Sequence, residues 1–212
     1  MKKLLLAATA FFGLAASAQA GVITVSALDD GVGVLLLCTG GVNAPISCGG
    51  SSAHFSTINI GAIGAPPLAG ASLASVTIDA TSASGGHTLD IDVLQGGLLI
   101  AGLTGATSTF TINHLIAPPG TSFGATTEST LVNGAALSSY TFPAGTVNDT
   151  RAFAAALPGL VTSTEHKYSI TFQAAGQSAT DTIQLVTNAP EPMTLALLGT
   201  GLLGLGIARR KN

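Results

Sequence analysis

Charged and aromatic side chains are scarce in this sequence of 212 residues. Charged residues make up 8% of it, aromatic residues make up 5%, and tryptophan is absent. A chain with so few cations lacks the cluster of Lys and Arg on one face that nucleic-acid binding requires. The absence of tryptophan and the presence of only two tyrosines argue against a lectin, because flat aromatic faces are the usual platform for sugar rings.

Long hydrophobic runs stand at the two ends of the chain and raise its mean hydropathy to +0.57. At the N-terminus, Lys2 and Lys3 precede a mostly apolar run over residues 4–15, and Ala18-Gln19-Ala20 follows it. This order is typical of a secretory signal peptide with a small-residue cleavage site. The sequence predicts a signal helix over residues 1–20 and a mature chain that begins at Gly21. A first helix of a globular core is disfavoured, because core helices are seldom apolar on all faces.

Residues 21–188 form the remaining stretch, which is long enough for one domain with its own core. It carries two basic residues, Arg151 and Lys167, against nine acidic ones, which gives a net charge of about −7. This balance argues against nucleic acid and anionic lipid headgroups as partners. It is compatible with an uncharged partner such as a polysaccharide, or with a weak Ca²⁺ site.

The two cysteines of the chain, Cys38 and Cys48, are predicted to form a disulfide, because export places them in an oxidising compartment. A zinc site is the alternative. His54 is the nearby candidate for a third ligand, and the sequence offers no fourth. We therefore expect neither a metal nor another cofactor.

Short segments of alternating apolar and polar residues predict a β protein. Residues 74–80 alternate in this way, and so do residues 88–93, which Gly96 and Gly97 separate from 98–100 in a predicted hairpin. The clearest pair is residues 168–174 and 180–186, which we expect to lie antiparallel beside each other across a turn.

Further strands are predicted over residues 22–28, 32–37, 55–60, 109–113 and around Tyr140 and Phe142. Residues 61–71 and 117–127 are predicted as loops, and residues 149–156 as a short helix capped by Asn148 or Asp149. The fold class that follows is all-β. We expect an antiparallel β-sandwich, immunoglobulin-like or jelly-roll-like, flanked by the signal helix and a C-terminal transmembrane helix.

The C-terminal tail, residues 189–212, has three elements in a fixed order. Pro190, Glu191 and Pro192 come first, a largely apolar run over 194–208 follows, and Arg209, Arg210 and Lys211 end it. Residues 193–208 would span about 24 Å as a helix, somewhat less than the hydrocarbon core of a bilayer. The basic cluster should stay cytoplasmic, which places residues 21–188 in the periplasm.

This tail resembles the PEP-CTERM sorting signal of Gram-negative bacteria, and the resemblance is confined to it. The resemblance implies that an exosortase with a catalytic cysteine cuts near Pro190-Glu191-Pro192, and that the released protein enters the envelope or the extracellular polymer matrix. The motif residues are substrate residues, and Arg209, Arg210 and Lys211 are the membrane stop signal. An ordinary anchor that is never cut is the alternative.

One pattern within residues 21–188 matches a catalytic motif. The pattern is Gly120-Thr121-Ser122-Phe123-Gly124, which fits the G-x-S-x-G sequence of a nucleophile elbow, and Asp149 and His166 follow it in hydrolase order. The residues on either side of it nevertheless predict a loop.

A second pattern is the pair Asp90 and Asp92, which lie about 7 Å apart on one strand face. They could hold Ca²⁺ or act as a glycosidase-like acid pair. We interpret them as exposed charges that discourage edge pairing.

Two histidines complete this inventory. His114 is predicted to be a satisfied structural residue near the end of a strand. His166, between Glu165 and Lys167, is predicted to belong to a solvated charge cluster.

We therefore expect a non-enzymatic protein that is exported and sorted by exosortase. Its precursor would be anchored in the inner membrane, and the mature protein would lie in the envelope, on the outer surface or in the extracellular matrix of a Gram-negative bacterium. Exopolysaccharide, in a biofilm or floc, is the expected partner besides exosortase. A secreted carbohydrate-binding or carbohydrate-active protein is the alternative.

Overall fold

The structure, a computed structural model, describes residues 21–42, 44–64, 72–115 and 118–187. Three predictions concern other residues: the signal peptide over 1–20, the sorting motif Pro190-Glu191-Pro192 and the transmembrane helix with its stop signal. They lie outside the described part of the chain. Within that part, no helix has the length and apolar character needed to cross a membrane.

The described residues form twelve β-strands and no helix, which confirms the all-β prediction. Apolar and polar residues alternate in most of them, and in strands such as β6, β11 and β12 this buries one face. The strands are β1 (Val22–Asp29), β2 (Val32–Gly41), β3 (Ile46–Gly50), β4 (Phe55–Gly64), β5 (Ser72–Ser82), β6 (His87–Gly96), β7 (Ile100–Leu115), β8 (Thr126–Val132), β9 (Ala135–Phe142), β10 (Asn148–Val161), β11 (Thr164–Phe172) and β12 (Ser178–Thr187).

The strands build two antiparallel sheets of six strands each. The first sheet has the order β2-β1-β6-β11-β8-β9 and the second sheet has the order β10-β7-β12-β5-β4-β3. The two sheets bury two hydrophobic clusters between them. Both sheets contribute to the larger cluster, with Ile91 and Ile170 from the first sheet and Ile78 and Ile183 from the second. This arrangement of two packed sheets is the predicted sandwich architecture.

Two of the predicted hairpins are wrong. Residues 168–174 and 180–186 do not pair with each other, since β11 lies between β6 and β8 in the first sheet and β12 lies between β5 and β7 in the second. Likewise β6 belongs to the first sheet, whereas the segment that begins at Ile100 belongs to the second. In both places the turn carries the chain from one sheet to the other. The prediction failed because alternation shows which face of a strand is buried but not which strand lies beside it.

The predicted helix over residues 149–156 is also wrong. These residues belong to β10, which pairs with β7 from Asn148 opposite Asn113 to Val161 opposite Ile100. Helix propensity of an alanine-rich segment is a weak preference that tertiary pairing overrides. The loop predicted over 61–71 begins later than expected, because β4 continues to Gly64.

The predicted disulfide between Cys38 and Cys48 is present, with the two Cα atoms 6.4 Å apart. Cys38 lies on β2 and Cys48 on β3, which are edge strands of different sheets. The disulfide therefore links the first sheet to the second along one side of the sandwich.

Candidate functional site

The outward face of the first sheet carries a groove of about 380 Å³, within the size range of ligand pockets. It crosses four neighbouring strands, β1, β6, β11 and β8, whose opposite faces are buried in the core. The residues that line it are Leu28, Asp90, Ile91, Asp92, Thr127, Ser129, Lys167, Tyr168 and Ser169. Period-two alternation produces this division, since side chains next to each other in sequence point to opposite faces.

Hydroxyl and carboxylate groups form rows across this face. Asp92 lies opposite Ser26 on one side and Lys167 on the other, and Lys167 lies opposite Ser129. Ser129 and Ser139 share a hydrogen bond of 2.8 Å between their Oγ atoms. Within the groove itself, Thr127, Ser129 and Ser169 carry hydroxyl groups that both donate and accept hydrogen bonds.

One ion-pair group lies at the groove. The Nζ atom of Lys167 is 2.8 Å from Glu165 Oε1 and 3.8 Å from Asp92 Oδ2. Burial, and then repulsion by the neighbouring Glu165, raise the pKa of Asp92 to about 6. The hydrogen bond with Glu165 raises the pKa of Lys167. Asp92 is therefore a carboxyl group that changes charge near neutral pH.

The edge-charge interpretation of Asp90 and Asp92 is wrong. Their strand, β6, pairs with β1 on one side and with β11 on the other, so it is an interior strand of the first sheet. The two carboxylates are instead the acidic lining of the groove. Among the described residues, Asp90 has no ion pair, which leaves its carboxylate available as a hydrogen-bond acceptor.

Polar side chains are buried between the sheets. Asp181 accepts hydrogen bonds from the Tyr168 hydroxyl and from the Asn113 N–H, and its Oδ2 lies 3.0 Å from His114 Nε2. Glu128 on β8 is fully buried, and neither of its carboxylate oxygens has a hydrogen-bond partner. Burial, and then the charge of Asp181, raise the pKa of Glu128 to about 9. Glu128 is therefore a neutral acid at pH 7.

The two histidine predictions have opposite outcomes. His114 is a buried structural residue as predicted, held between Thr146 and Asp181. The prediction for His166 is wrong, since it is 1% exposed and faces the core, where its Nδ1 lies 3.2 Å from Thr130 Oγ1. Burial lowers the pKa of His166 to about 4. Its neighbours Glu165 and Lys167 point outward, because alternation along β11 separates them from it.

The G-x-S-x-G segment lies in a loop, as predicted, and is not a nucleophile elbow. Residues 121–125 have no regular structure, and Ser122 is exposed. Asp149 is occupied by an ion pair with Arg151, whose Nη2 is 2.8 Å from Asp149 Oδ2. His166 is buried between the sheets, so these residues assemble no catalytic triad.

A group that sequence reasoning missed lies at one end of the sandwich. There His54, which was considered only as a partner of Cys48, lies with Asp29, Asp30 and His87. Asp30-Gly31 is a two-residue hairpin turn in which both residues have positive φ, 51° and 68°, as a type I′ turn requires. This dipeptide was a signal for the β1–β2 hairpin, but the approach of His54 and His87 depends on strand order.

Comparison with known proteins identifies the tail. The family model of the PEP-CTERM protein-sorting motif matches residues 188–211, so the chain carries this sorting motif where the sequence predicted it. The motif indicates an exported protein that is processed at the membrane. No curated protein matches the sequence.

Several solved structures resemble this chain only weakly in sequence and in fold. The enzymatically active domain of tailspike protein 4 from bacteriophage CBA120 has 13% identity and a TM-score of 0.29, over 78% of this chain and 19% of that chain. This chain thus spans about a fifth of that protein. The K1 cleaved adhesin domain of Lys-gingipain from Porphyromonas gingivalis W83 has 15% identity and a TM-score of 0.33, over 78% and 99%.

A carbohydrate-binding module specific for non-crystalline cellulose, CBM28, has 12% identity and a TM-score of 0.31, over 53% and 74%. These scores are too low to support any argument about what this chain binds.

Proposed function

We propose that this chain is an exosortase substrate that becomes a non-enzymatic protein of the cell surface or extracellular matrix of a Gram-negative bacterium. The match of residues 188–211 to the PEP-CTERM sorting motif carries the proposal. In this proposal the signal peptide directs export, the apolar tail holds the precursor in the inner membrane, and exosortase cuts near Pro190-Glu191-Pro192. The mature protein is then retained among exopolysaccharides, for example in a biofilm.

Two properties of the sandwich support a location outside the cytoplasm. The disulfide between Cys38 and Cys48 uses both cysteines of the chain, and such bonds persist in oxidising compartments. The outward face of the first sheet also presents serine and threonine hydroxyls, which suit contact with a hydrated, uncharged polymer.

Processing can be tested with a tag inserted in the ectodomain of the full chain. In cells that contain exosortase, the mature protein should lose the mass of the residues after the cut. It should keep that mass in exosortase-deleted cells and when Pro190, Glu191 and Pro192 are replaced together by alanine. Pro143→Ala, a proline substitution in the ectodomain, is the matched control and should be processed normally. Retention of residues 193–212 by the mature wild-type protein would instead identify a permanent anchor.

A second candidate function, binding of a polysaccharide, is favoured by the groove. Asp90, Ser169 and Thr127 occupy adjacent strands of its lining, so that they could bond successive hydroxyl groups of an extended sugar chain. The carboxylate of Asp90 would accept from a sugar hydroxyl, which makes a charge-assisted hydrogen bond. The groove lining contains no tryptophan, so hydrogen bonding would have to replace much of the usual stacking.

A glycan array with the full-length protein in detergent tests this candidate. Asp90→Asn together with Ser169→Ala should weaken binding by about 10-fold or more, since two hydrogen bonds to the ligand are lost. Asp79→Asn, an exposed acidic position on the second sheet, should leave binding unchanged. Turnover of a bound glycan would favour a carbohydrate-active enzyme. If no glycan binds, the groove is not a polysaccharide-binding site and has no part in retaining the protein in the matrix.

A further inference from the structure

Asp29, Asp30, His54 and His87 come from three segments that fold to the same end of the sandwich. Asp29 ends β1, Asp30 follows in the β1–β2 turn, and His87 begins the neighbouring strand β6 of the first sheet. His54 immediately precedes β4 of the second sheet. One atom from each of the four residues lies within 4.8 Å of the corresponding atoms of the other three.

The side chains direct their ligand atoms toward one another. Nδ1 of His54 is 2.9 Å from Asp29 Oδ2, and Nδ1 of His87 is 2.7 Å from Asp30 Oδ2. The two imidazole rings are stacked in parallel, with their centroids 3.4 Å apart and an interplanar angle of 7°. Because a carboxylate only accepts hydrogen bonds, each Nδ1 donates its N–H to the neighbouring aspartate in the absence of a metal. A metal ion in this position would bind the lone pair of each Nδ1, with the ring proton on Nε2 instead. In a tetrahedral zinc site the ligand atoms lie about 3.3 Å apart, so small adjustments would admit an ion.

Further hydrogen bonds hold the two carboxylates in place. Ser52 Oγ donates to Asp29 Oδ2 at 2.8 Å, and the Thr88 N–H donates to Asp30 Oδ1 at 2.7 Å. The same Ser52 Oγ accepts from the N–H groups of His54 and Phe55, which fixes the loop that carries His54. Outer hydrogen bonds of this kind orient the ligands of protein metal sites.

We propose that Asp29, Asp30, His54 and His87 bind one divalent transition-metal ion, with Zn²⁺ as the preferred ion. Two imidazole nitrogens and two carboxylate oxygens are a ligand set that suits zinc, whereas Ca²⁺ and Mg²⁺ prefer oxygen ligands alone. Four protein ligands fill a tetrahedral site, so the ion has a structural role. It joins the β1–β2 turn and β6 of the first sheet to the β3–β4 loop of the second. The side chains are 10% to 42% exposed, so the ion has access from solvent.

The test uses the untagged full-length protein in detergent, stripped with a chelator and then titrated with Zn²⁺ by calorimetry. One ion should bind per chain. At a free Zn²⁺ concentration 100-fold above the Kd, the Tm should rise by about 5 to 10 °C. His87→Gln and His54→Gln should each weaken binding by at least about 10- to 100-fold, the loss that even outer-shell changes cause at metal sites.

Asp30→Asn is the most discriminating variant, because Asn-Gly favours the same type I′ turn as Asp-Gly while the carboxylate is removed. It should keep the fold of the metal-free protein and lose zinc affinity. Asp149→Asn, a carboxylate outside the cluster, should bind zinc as the wild type does. The proposal is overturned if the wild type binds no zinc. It is overturned equally if Asp30→Asn and His87→Gln bind zinc with wild-type affinity, or if Ca²⁺ raises the Tm more than Zn²⁺ does.

Discussion

Tyr168 donates a hydrogen bond from its hydroxyl to the carboxylate of Asp181 across the interior of the sandwich. The two residues lie on consecutive strands, β11 and β12, that belong to different sheets. Both side chains are fully buried or nearly so, with 2% and 0% exposure. This contact therefore fixes how the first sheet sits on the second at a point where most neighbouring side chains are apolar.

Asp181→Ala should destabilise the fold strongly. The substitution removes the acceptor for the Tyr168 hydroxyl and the Asn113 N–H, as well as the partner of His114 Nε2, and leaves these groups buried and unpaired. We expect the free energy of unfolding to fall by about 3 kcal/mol or more, measured by urea denaturation. Asp79→Ala, an exposed acidic position on the second sheet, is the control and should change it by less than about 0.5 kcal/mol. Equal effects of the two substitutions would contradict a structural role for the Asp181 contacts.

Glu128→Gln should stabilise the protein, and the gain should grow with pH. The pKa of Glu128 is about 9 in the fold and about 4.5 in the unfolded chain, so the unfolded chain loses the proton first. Between these values, stability falls by about 1.4 kcal/mol per pH unit. The neutral amide removes this loss, which amounts to about 3 kcal/mol at pH 7.

The measurement for Glu128→Gln is chemical denaturation at several pH values from 4 to 8, alongside the wild type. The two proteins should have similar stability near pH 4, where Glu is protonated in both states. A difference that stays constant from pH 4 to 8 would show that the side chain is not held neutral by the core.

Replacement of both cysteines by serine should lower stability by about 2 to 3 kcal/mol, because the disulfide between Cys38 and Cys48 restricts a short loop in the unfolded chain. Thermal unfolding should show a decrease in Tm of about 5 to 10 °C. The wild type under reducing conditions should reproduce this decrease. Ser47→Ala, an exposed position between the two cysteines, is the control. An unchanged Tm after reduction would show that the disulfide does not stabilise the fold.

Glu165→Gln should lower the pKa of Asp92 from about 6. The substitution removes a neighbouring negative charge, but burial, the larger cause, remains, so the pKa should stay above the usual value for Asp. Carboxyl-carbon NMR titration measures this shift directly. Asp149→Asn, which is remote from the groove, should leave the Asp92 pKa unchanged. If Glu165→Gln also leaves the Asp92 pKa unchanged, the carboxyl groups of Glu165 and Asp92 do not interact.

The positions of most strands, and the face of each that is buried, were predictable from the alternation of apolar and polar residues. The segments around Val76, Ile91 and Ile170 lie on strands with the expected residues buried. Strand partners were not predictable, which is why the hairpins of 88–100 and 168–186 were wrong. The same limit applied to the site. Asp90 and Asp92 were recognised as a pair on one face, but their position depends on β6 being an interior strand.

The sequence by itself determined the sorting tail, the all-β class and the disulfide, because each depends on a local pattern of a few residues or on a count of cysteines. Tertiary structure alone decided which strands are neighbours, that the polar face of β8 with Glu128 is buried, and that His54 and His87 meet beside Asp29 and Asp30. The physical reason is the period of two along a strand. Alternation divides side chains between two faces, but contacts between strands far apart in sequence depend on how the whole chain lowers its free energy by burying apolar surface between two sheets.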